Sequence, residues 1–207
     1  MIKEIVAQGA EAVLYKDEMD GQKVLVKERI KKGYRLKQID ERLRKTRTKA
    51  EAKLLTDARS LGVKTPRVLS IEEDKIVMEF VDGVKVKDLL NSADTKKIAG
   101  VCVSIGRSIG KLHSANIIHG DLTTSNMILA KGGVYFIDFG LGGYSKRMEG
   151  KAVDLKLLME ALKSTHWKIL KLCWDNILKG YKQEYRDASD VVGHIEEIGK
   201  RARYAKR

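Results

Sequence analysis

Two hydrophobic rhythms divide the chain. Near the start, short apolar runs of strand length are punctuated by turn residues. Residues 2–7, 12–17 and 23–28 are predicted strands, with Asp20 and Gly21 marking a hairpin between the second and third. A helical period over residues 46–61 follows. Pro66, the only proline, separates it from two more strands, 67–71 and 75–79, joined by the turn Glu72, Glu73, Asp74. From residue 86 to 115 apolar positions recur at helical spacing, through Val86, Leu89, Leu90, Ile98, Val101, Cys102, Ile105, Ile109 and Leu112. Residues 127–130 and 134–137 read as short strands about the Gly132-Gly133 turn. By Val153 the pattern is helical again, and the tryptophans and tyrosines beyond it are expected in the core.

Composition narrows the class. A chain of 207 residues can build one full core or two small lobes, and 43% hydrophobic with 33% charged residues indicates a soluble globular protein rather than a disordered one. No apolar run approaches the ~20 residues that span a bilayer, and the start, Met1-Ile2-Lys3-Glu4, lacks a signal-peptide pattern, so no membrane association is expected. Cys102 and Cys173 sit among apolar residues and are expected as buried free thiols, which suggests a reducing, cytoplasmic setting.

The formal net charge is +13, and it is unevenly spread. Between Lys23 and Lys49 there are 12 Lys or Arg against only Glu28, Asp40 and Glu41, and residues 200–207, from Lys200 to Arg207, add five with no acid. Two such blocks suggest a polyanionic partner, with nucleic acid the leading candidate.

The chemistry concentrates in two segments. His119-Gly120-Asp121-Leu122-Thr123-Thr124-Ser125-Asn126 precedes one short strand pair, and Ile137-Asp138-Phe139-Gly140 follows it. Loops at the ends of apolar runs can hold Asp121, Asn126 and Asp138 against a nucleotide. Phosphoryl transfer needs a carboxylate to orient or deprotonate the nucleophile, which suits Asp121. It also needs hard oxygen ligands for Mg²⁺ on the phosphates, which suits Asn126 and Asp138. The H-x-D-x-x-x-x-N and D-F-G pair resembles the protein-kinase signature.

Other parts of that signature are present in weaker form. Lys27 ends the run Val24-Leu25-Val26 and is placed to reach the α- and β-phosphates of ATP, with Glu51 in the next helix as its ion-pair partner. Gln8, Gly9, Ala10 and Glu11 occupy the place of a phosphate-covering loop but carry one glycine where kinases have three. Met78, Glu79, Phe80 and Val81 lie where a hinge between lobes would present backbone to adenine. Lys31-Lys32-Gly33-Tyr34-Arg35 and Asp40-Glu41-Arg42-Leu43-Arg44 form an insertion richer in cations than nucleotide binding needs. His113 is expected to pack or hydrogen-bond at its helix end, and His119 to support the loop backbone rather than bind zinc.

Two departures from the kinase pattern matter. Gly120 replaces the arginine that commonly pairs with an activation-loop phosphate, and no A-P-E motif follows Gly140, leaving little room for a peptide platform.

With these features, and with Thr46-Arg47-Thr48-Lys49-Ala50-Glu51-Ala52, Lys151-Ala152-Val153-Asp154-Leu155 and the basic end, the chain resembles the small atypical kinase/ATPase subunit of the KEOPS complex, which makes threonylcarbamoyladenosine on tRNA. The resemblance implies an α+β, two-lobed protein-kinase-like fold. Its N-lobe (residues 1–80) would be a small antiparallel sheet with one main helix, and its C-lobe (residues 84–199) reduced and mostly helical, followed by the tail 200–207 within a single domain. It further implies binding of ATP with Mg²⁺, Ser/Thr autophosphorylation in isolation, and ATP hydrolysis coupled to tRNA modification. The implied partners are the metal-containing threonylcarbamoyl-transferase subunit through the C-lobe and a small regulatory subunit through the N-lobe. tRNA would meet the tail and, as a second basic segment, residues Lys31 to Arg47. Two other readings stay open: a RIO-type protein kinase, and a nucleotide-gated tRNA-binding subunit with vestigial catalysis. Whether the acceptor is a hydroxyl or water is not readable from these residues.

Overall fold

Strands β1 (Glu4–Gln8), β2 (Ala12–Met19), β3 (Gln22–Arg29), β4 (Val68–Glu72) and β5 (Lys75–Glu79) form an antiparallel sheet in the order β1-β2-β3-β5-β4. The computed structural model describes residues 4–204, and their side chains except those of residues 196 and 199–204. Residues 2 and 3 of the predicted first strand therefore lie outside the described residues. The β2–β3 hairpin turns on Asp20 (φ 52°) and Gly21 (φ 73°), both left-handed, as a two-residue turn matched to strand twist requires. Register pairs Leu14 with Lys27 and Ala12 with Arg29, so these four share one face.

Helix α1 (Lys37–Ser60) packs against that sheet through Ala52, Leu54, Leu55 and Ala58. It begins nine positions before the predicted start, so Asp40 to Arg44 are helix rather than loop insertion. The cause is Asp40, which is 1% exposed and accepts from the Lys32 main-chain N–H and from Arg44 Nε at 2.8 Å, stapling the cationic segment to the first helical turn.

The chain then enters the helical lobe through β6 (Gly83–Lys85), α2 (Val86–Ser92) and α3 (Thr95–Ser114). Two helices make up the predicted helical stretch and part at Ala93, where Asp94 caps α3 by accepting the Lys97 N–H at 2.9 Å. Strands β7 (Ile117–Ile118), β8 (Met127–Ala130), β9 (Gly133–Phe136) and β10 (Gly143–Tyr144) frame the loops. Of these, β6, β8 and β9 form one sheet and β7 pairs with β10. Helices α4 (Met148–Thr165), α5 (Leu170–Glu184) and α6 (Ala188–Tyr204) complete the lobe.

The α3–α5 contact is backbone on backbone. A Cβ at Gly106 would stand 1.9 Å from the Ile177 carbonyl oxygen, and one at Gly180 would stand 2.1 Å from that of Val103. Cys102 and Cys173 are buried free thiols in these two helices. One buried cluster runs from Leu54, Leu55 and Ile76 through Leu112, Leu122 and Phe139 to Leu158 and Tyr181, so the two lobes share a core. Trp167 corrects the expectation of aromatic burial: it lies 68% exposed in the short turn between α4 and α5. Among the described residues no helix is long and apolar enough to cross a membrane.

Candidate functional site

Lys27 reaches the space between the lobes because it sits on the sheet face that α1 covers. Its Nζ is 2.6 Å from Glu51 Oε1 and 2.6 Å from Asp138 Oδ1, so one ammonium joins the sheet, the helix and the D-F-G segment. Glu51 is 2% exposed, and its second oxygen accepts from Arg29 Nη2 at 2.6 Å. Asp138 takes a left-handed backbone (φ 61°), tolerable for aspartate, and also accepts the Gly140 N–H at 3.1 Å. Burial pushes the Asp138 carboxyl upward, but the Lys27 ammonium and the Gly140 N–H outweigh it and hold the group below the ordinary carboxylate range.

The loop of Asp121 is fixed from three sides. Asn126 Nδ2 donates to Asp121 Oδ2 at 2.8 Å and to its main-chain oxygen at 2.9 Å. His119 Nδ1 accepts the Asp121 N–H at 3.3 Å, so its other nitrogen carries the proton and donates to the Ile137 carbonyl at 3.1 Å. That neutral imidazole is consistent with burial, which lowers the His119 pKa. Beneath the loop, the Asp154 carboxylate accepts the His119 N–H at 2.7 Å and the Gly120 N–H at 2.8 Å. His113 stands behind it, its Nε2 3.4 Å from Asp154 and its Nδ1 2.9 Å from the Tyr181 hydroxyl. Burial lowers the His113 pKa too.

A cavity of about 390 Å³ opens above these groups, lined by Gln8, Gly9, Ala10, Glu11, Lys27, Arg29, Arg47, Asp121 and Asp138 among others. Its roof is the single-glycine loop, closed by a Gly9 N–H to Ala12 carbonyl bond at 3.0 Å and clamped by Lys32 on the Ala10 carbonyl and by Arg47 on Glu11 at 3.0 Å.

Lys27, Asp121, Asp138 and the loop residues 8–11 thus share one cavity, with Glu51 and Asn126 directly behind them. The expected hinge does not line that cavity. Met78 is buried in the sheet opposite Leu25, Glu79 Oε2 accepts the Arg67 N–H at 3.1 Å, and Phe80 and Val81 are half-buried on the way to β6. Sequence reading missed Arg29, Arg47 and the anchoring role of Asp154. The first could be found as the residue two positions after Lys27 on a strand, and the last as a lone acid in an apolar helical run.

The donor set suits a divalent cation carried on phosphate. Among the described residues no cluster of three or more His, Cys, Asp or Glu forms a closed cage, whereas Asp138 and Asn126 offer hard oxygens beside a free cavity. Magnesium is typically held that way, by one or two protein oxygens plus phosphate.

Of the cations between Lys31 and Lys49, Arg35, Arg44, Lys45 and Arg47 are ion-paired within the chain, and Lys32 holds the Ala10 carbonyl. In the predicted RNA-binding tail, residues 205–207 and the side chains of residues 200–204 lie outside the described residues.

A five-stranded antiparallel sheet with one long helix, over a helical lobe bearing these loops, defines a protein-kinase-like protein. The RIO domain model matches residues 14–142. The chain is 44% identical over 213 residues to the KEOPS complex subunit Bud32 of Pyrococcus abyssi, covering 98% of this chain and 97% of that protein. It is also 44% identical over 203 residues to a probable bifunctional tRNA threonylcarbamoyladenosine biosynthesis protein of Methanosarcina barkeri, and 46% over 200 residues to its counterpart in Methanosarcina acetivorans. It matches 98% and 95% of itself there, but only 36% and 35% of those longer proteins. The chain therefore belongs to the RIO-domain family of atypical kinases, in the group that includes Pyrococcus abyssi Bud32.

Proposed function

We propose that the chain binds ATP with Mg²⁺ between its lobes and transfers the γ-phosphoryl group, serving threonylcarbamoyladenosine modification of tRNA as a KEOPS subunit. The observation that carries this reading is the convergence of Lys27, Asp121 and Asp138 on one cavity beneath the loop of residues 8–11. The similarity to a KEOPS complex subunit and to threonylcarbamoyladenosine biosynthesis proteins supports the pathway.

Lys27 would bind the α- and β-phosphates, and Glu51 would orient its ammonium. Asp138 and the amide oxygen of Asn126 would hold the metal, since Asn126 bonds Asp121 through its amide nitrogen. When bound, Mg²⁺ would neutralise charge developing on the phosphates. Asp121, oriented by Asn126 and by the His119 contact, would position the attacking oxygen and accept its proton.

Water suits the acceptor position better than an extended peptide. Residues 141–147 are all that separate Gly140 from α4, and Gly143 and Tyr144 turn straight back to pair with Ile118 and Ile117. The partners follow the family resemblance: the metal-containing transferase subunit on the C-lobe, the small regulatory subunit on the N-lobe, and tRNA at the tail.

ATP hydrolysis and phosphoprotein formation, measured side by side with and without tRNA and the transferase subunit, test the reading. Hydrolysis stimulated by both additions is expected. Absence of ATP binding, or phosphate appearing mainly on an unrelated protein, would overturn it.

A further inference from the structure

Two cations and two carboxylates meet at the floor of the cavity. Lys27 touches Glu51 and Asp138, and Arg29 touches the oxygen of Glu51 that Lys27 leaves free. Gly140 marks how closely they gather: a Cβ built there would stand 3.0 Å from Asp138 Oδ1, 3.5 Å from Glu51 Oε2 and 3.6 Å from Arg29 Nη2. Arg29 is 6% exposed, lines the same cavity, and its Nε has no hydrogen-bond partner among the described residues.

We infer that Arg29 is a positioning residue for phosphate binding: by taking one oxygen of Glu51 it keeps Lys27 from being locked onto that carboxylate and leaves the ammonium free to turn to a polyphosphate. The inference rests on the nucleotide reading above and adds a residue to it.

With Arg29 in place the four groups sum to zero. Without it, the cluster facing an incoming triphosphate carries one net negative charge, and at Glu51, which is 2% exposed, water does little to screen it. A buried carboxylate left with a single cation also draws that cation across both of its oxygens, because each unpaired lone pair is costly there. Lys27 would then have to break a tighter pair before meeting phosphate. An arginine suits the task because its rigid fork fixes one oxygen. The β-strand period places it without further design, since residues 27 and 29 share a face.

The test compares ATP with adenosine, binding each to the full chain by calorimetry or fluorescence in Mg²⁺ buffer. Arg29→Gln is expected to weaken ATP about tenfold or more, as truncating one partner of a buried charge pair does, while leaving adenosine within about twofold. Arg29→Lys is expected to recover part of the loss, which repacking around a lost side chain would not predict. Where Arg29→Gln fails to fold by circular dichroism, Arg29→Met keeps the apolar stem in place and carries the same comparison. Equal loss of ATP and adenosine, or loss of neither, overturns the inference.

The underlying reading fails differently. A wild-type chain that prefers ATP no more than adenosine removes the nucleotide site itself. Wild-type preference that Lys27→Ala abolishes and Arg29→Gln leaves intact removes Arg29 alone.

Discussion

The carboxylate of Asp154 accepts the main-chain N–H of Gly120 at 2.8 Å. This bond runs from helix α4 to the middle of the loop that carries Asp121, and Asp154 is 1% exposed, so water cannot replace it. Asp154→Asn keeps the volume but turns one acceptor into a donor facing an N–H. Hydrogen bonds to charged groups are worth about 1.5–3 kcal/mol, so a stability loss near that size is expected in chemical denaturation. The ATP turnover number should fall with little change in KM, because Asp121 moves while the phosphate-binding groups stay. A variant with wild-type turnover would show that the loop does not need this anchor.

Gly120 itself explains the missing arginine of the kinase motif. Its φ is 82°, and a Cβ there would stand 2.1 Å from the carbonyl oxygen of Leu141. Side chains are strained at that backbone angle, and here the obstacle is backbone, which cannot swing aside. Gly120→Ala is expected to destabilise the chain by about 1–3 kcal/mol and to cut ATP turnover, and Gly120→Arg more severely. A thermal melt beside a turnover assay checks both.

What the sequence made legible follows from how local each signal was. The strand 75–79 and the D-F-G segment were readable because an apolar run and its turns lie within a few residues. The start of α1 was hidden because Asp40 looks like one acid in a cationic loop until Lys32 and Arg44 are seen around it. Trp167 was misread because hydrophobicity does not say which turn of a helical lobe lacks a neighbour. The anchoring by Asp154 depends on contacts 34 and 35 residues away, which no period reports.

Stability should depend on pH in a window set by histidines. His113 and His119 are both fully buried, and burial lowers their pKa from the ordinary 6.5. Above 6.5 both are neutral in the folded and unfolded chain, so they add no slope. As pH falls below 6.5 the unfolded chain takes up protons that the folded chain refuses, and stability drops by up to about 1.4 kcal/mol per pH unit for each histidine until the folded pKa is reached. The carboxylates held low, Asp138, Asp40 and Asp57, lose their contribution only as pH falls below their ordinary 3.8 and through their lower folded values. A falling Tm between pH 6.5 and 5 therefore reports the histidines, and a flat Tm there would contradict their buried neutral state.

The two aspartates of the cavity should separate in kinetics. Asp138 pairs with Lys27 and faces the cavity, so Asp138→Ala removes the proposed metal ligand and frees Lys27 to fall back on Glu51. Nearly all ATP turnover should disappear, and Mg²⁺ should no longer strengthen nucleotide binding. Asp121 is held by Asn126 and His119 rather than by Lys27 or Glu51. Asp121→Ala should leave Mg²⁺-dependent ATP binding near wild type while lowering turnover on the order of 10²–10⁴-fold, the usual contribution of a positioned base. Nucleotide titrations with and without Mg²⁺, run beside steady-state hydrolysis, distinguish the two. If Asp121→Ala abolished binding as well, its carboxylate would belong to the nucleotide-binding set, and the division of labour between the two loops would have to be redrawn.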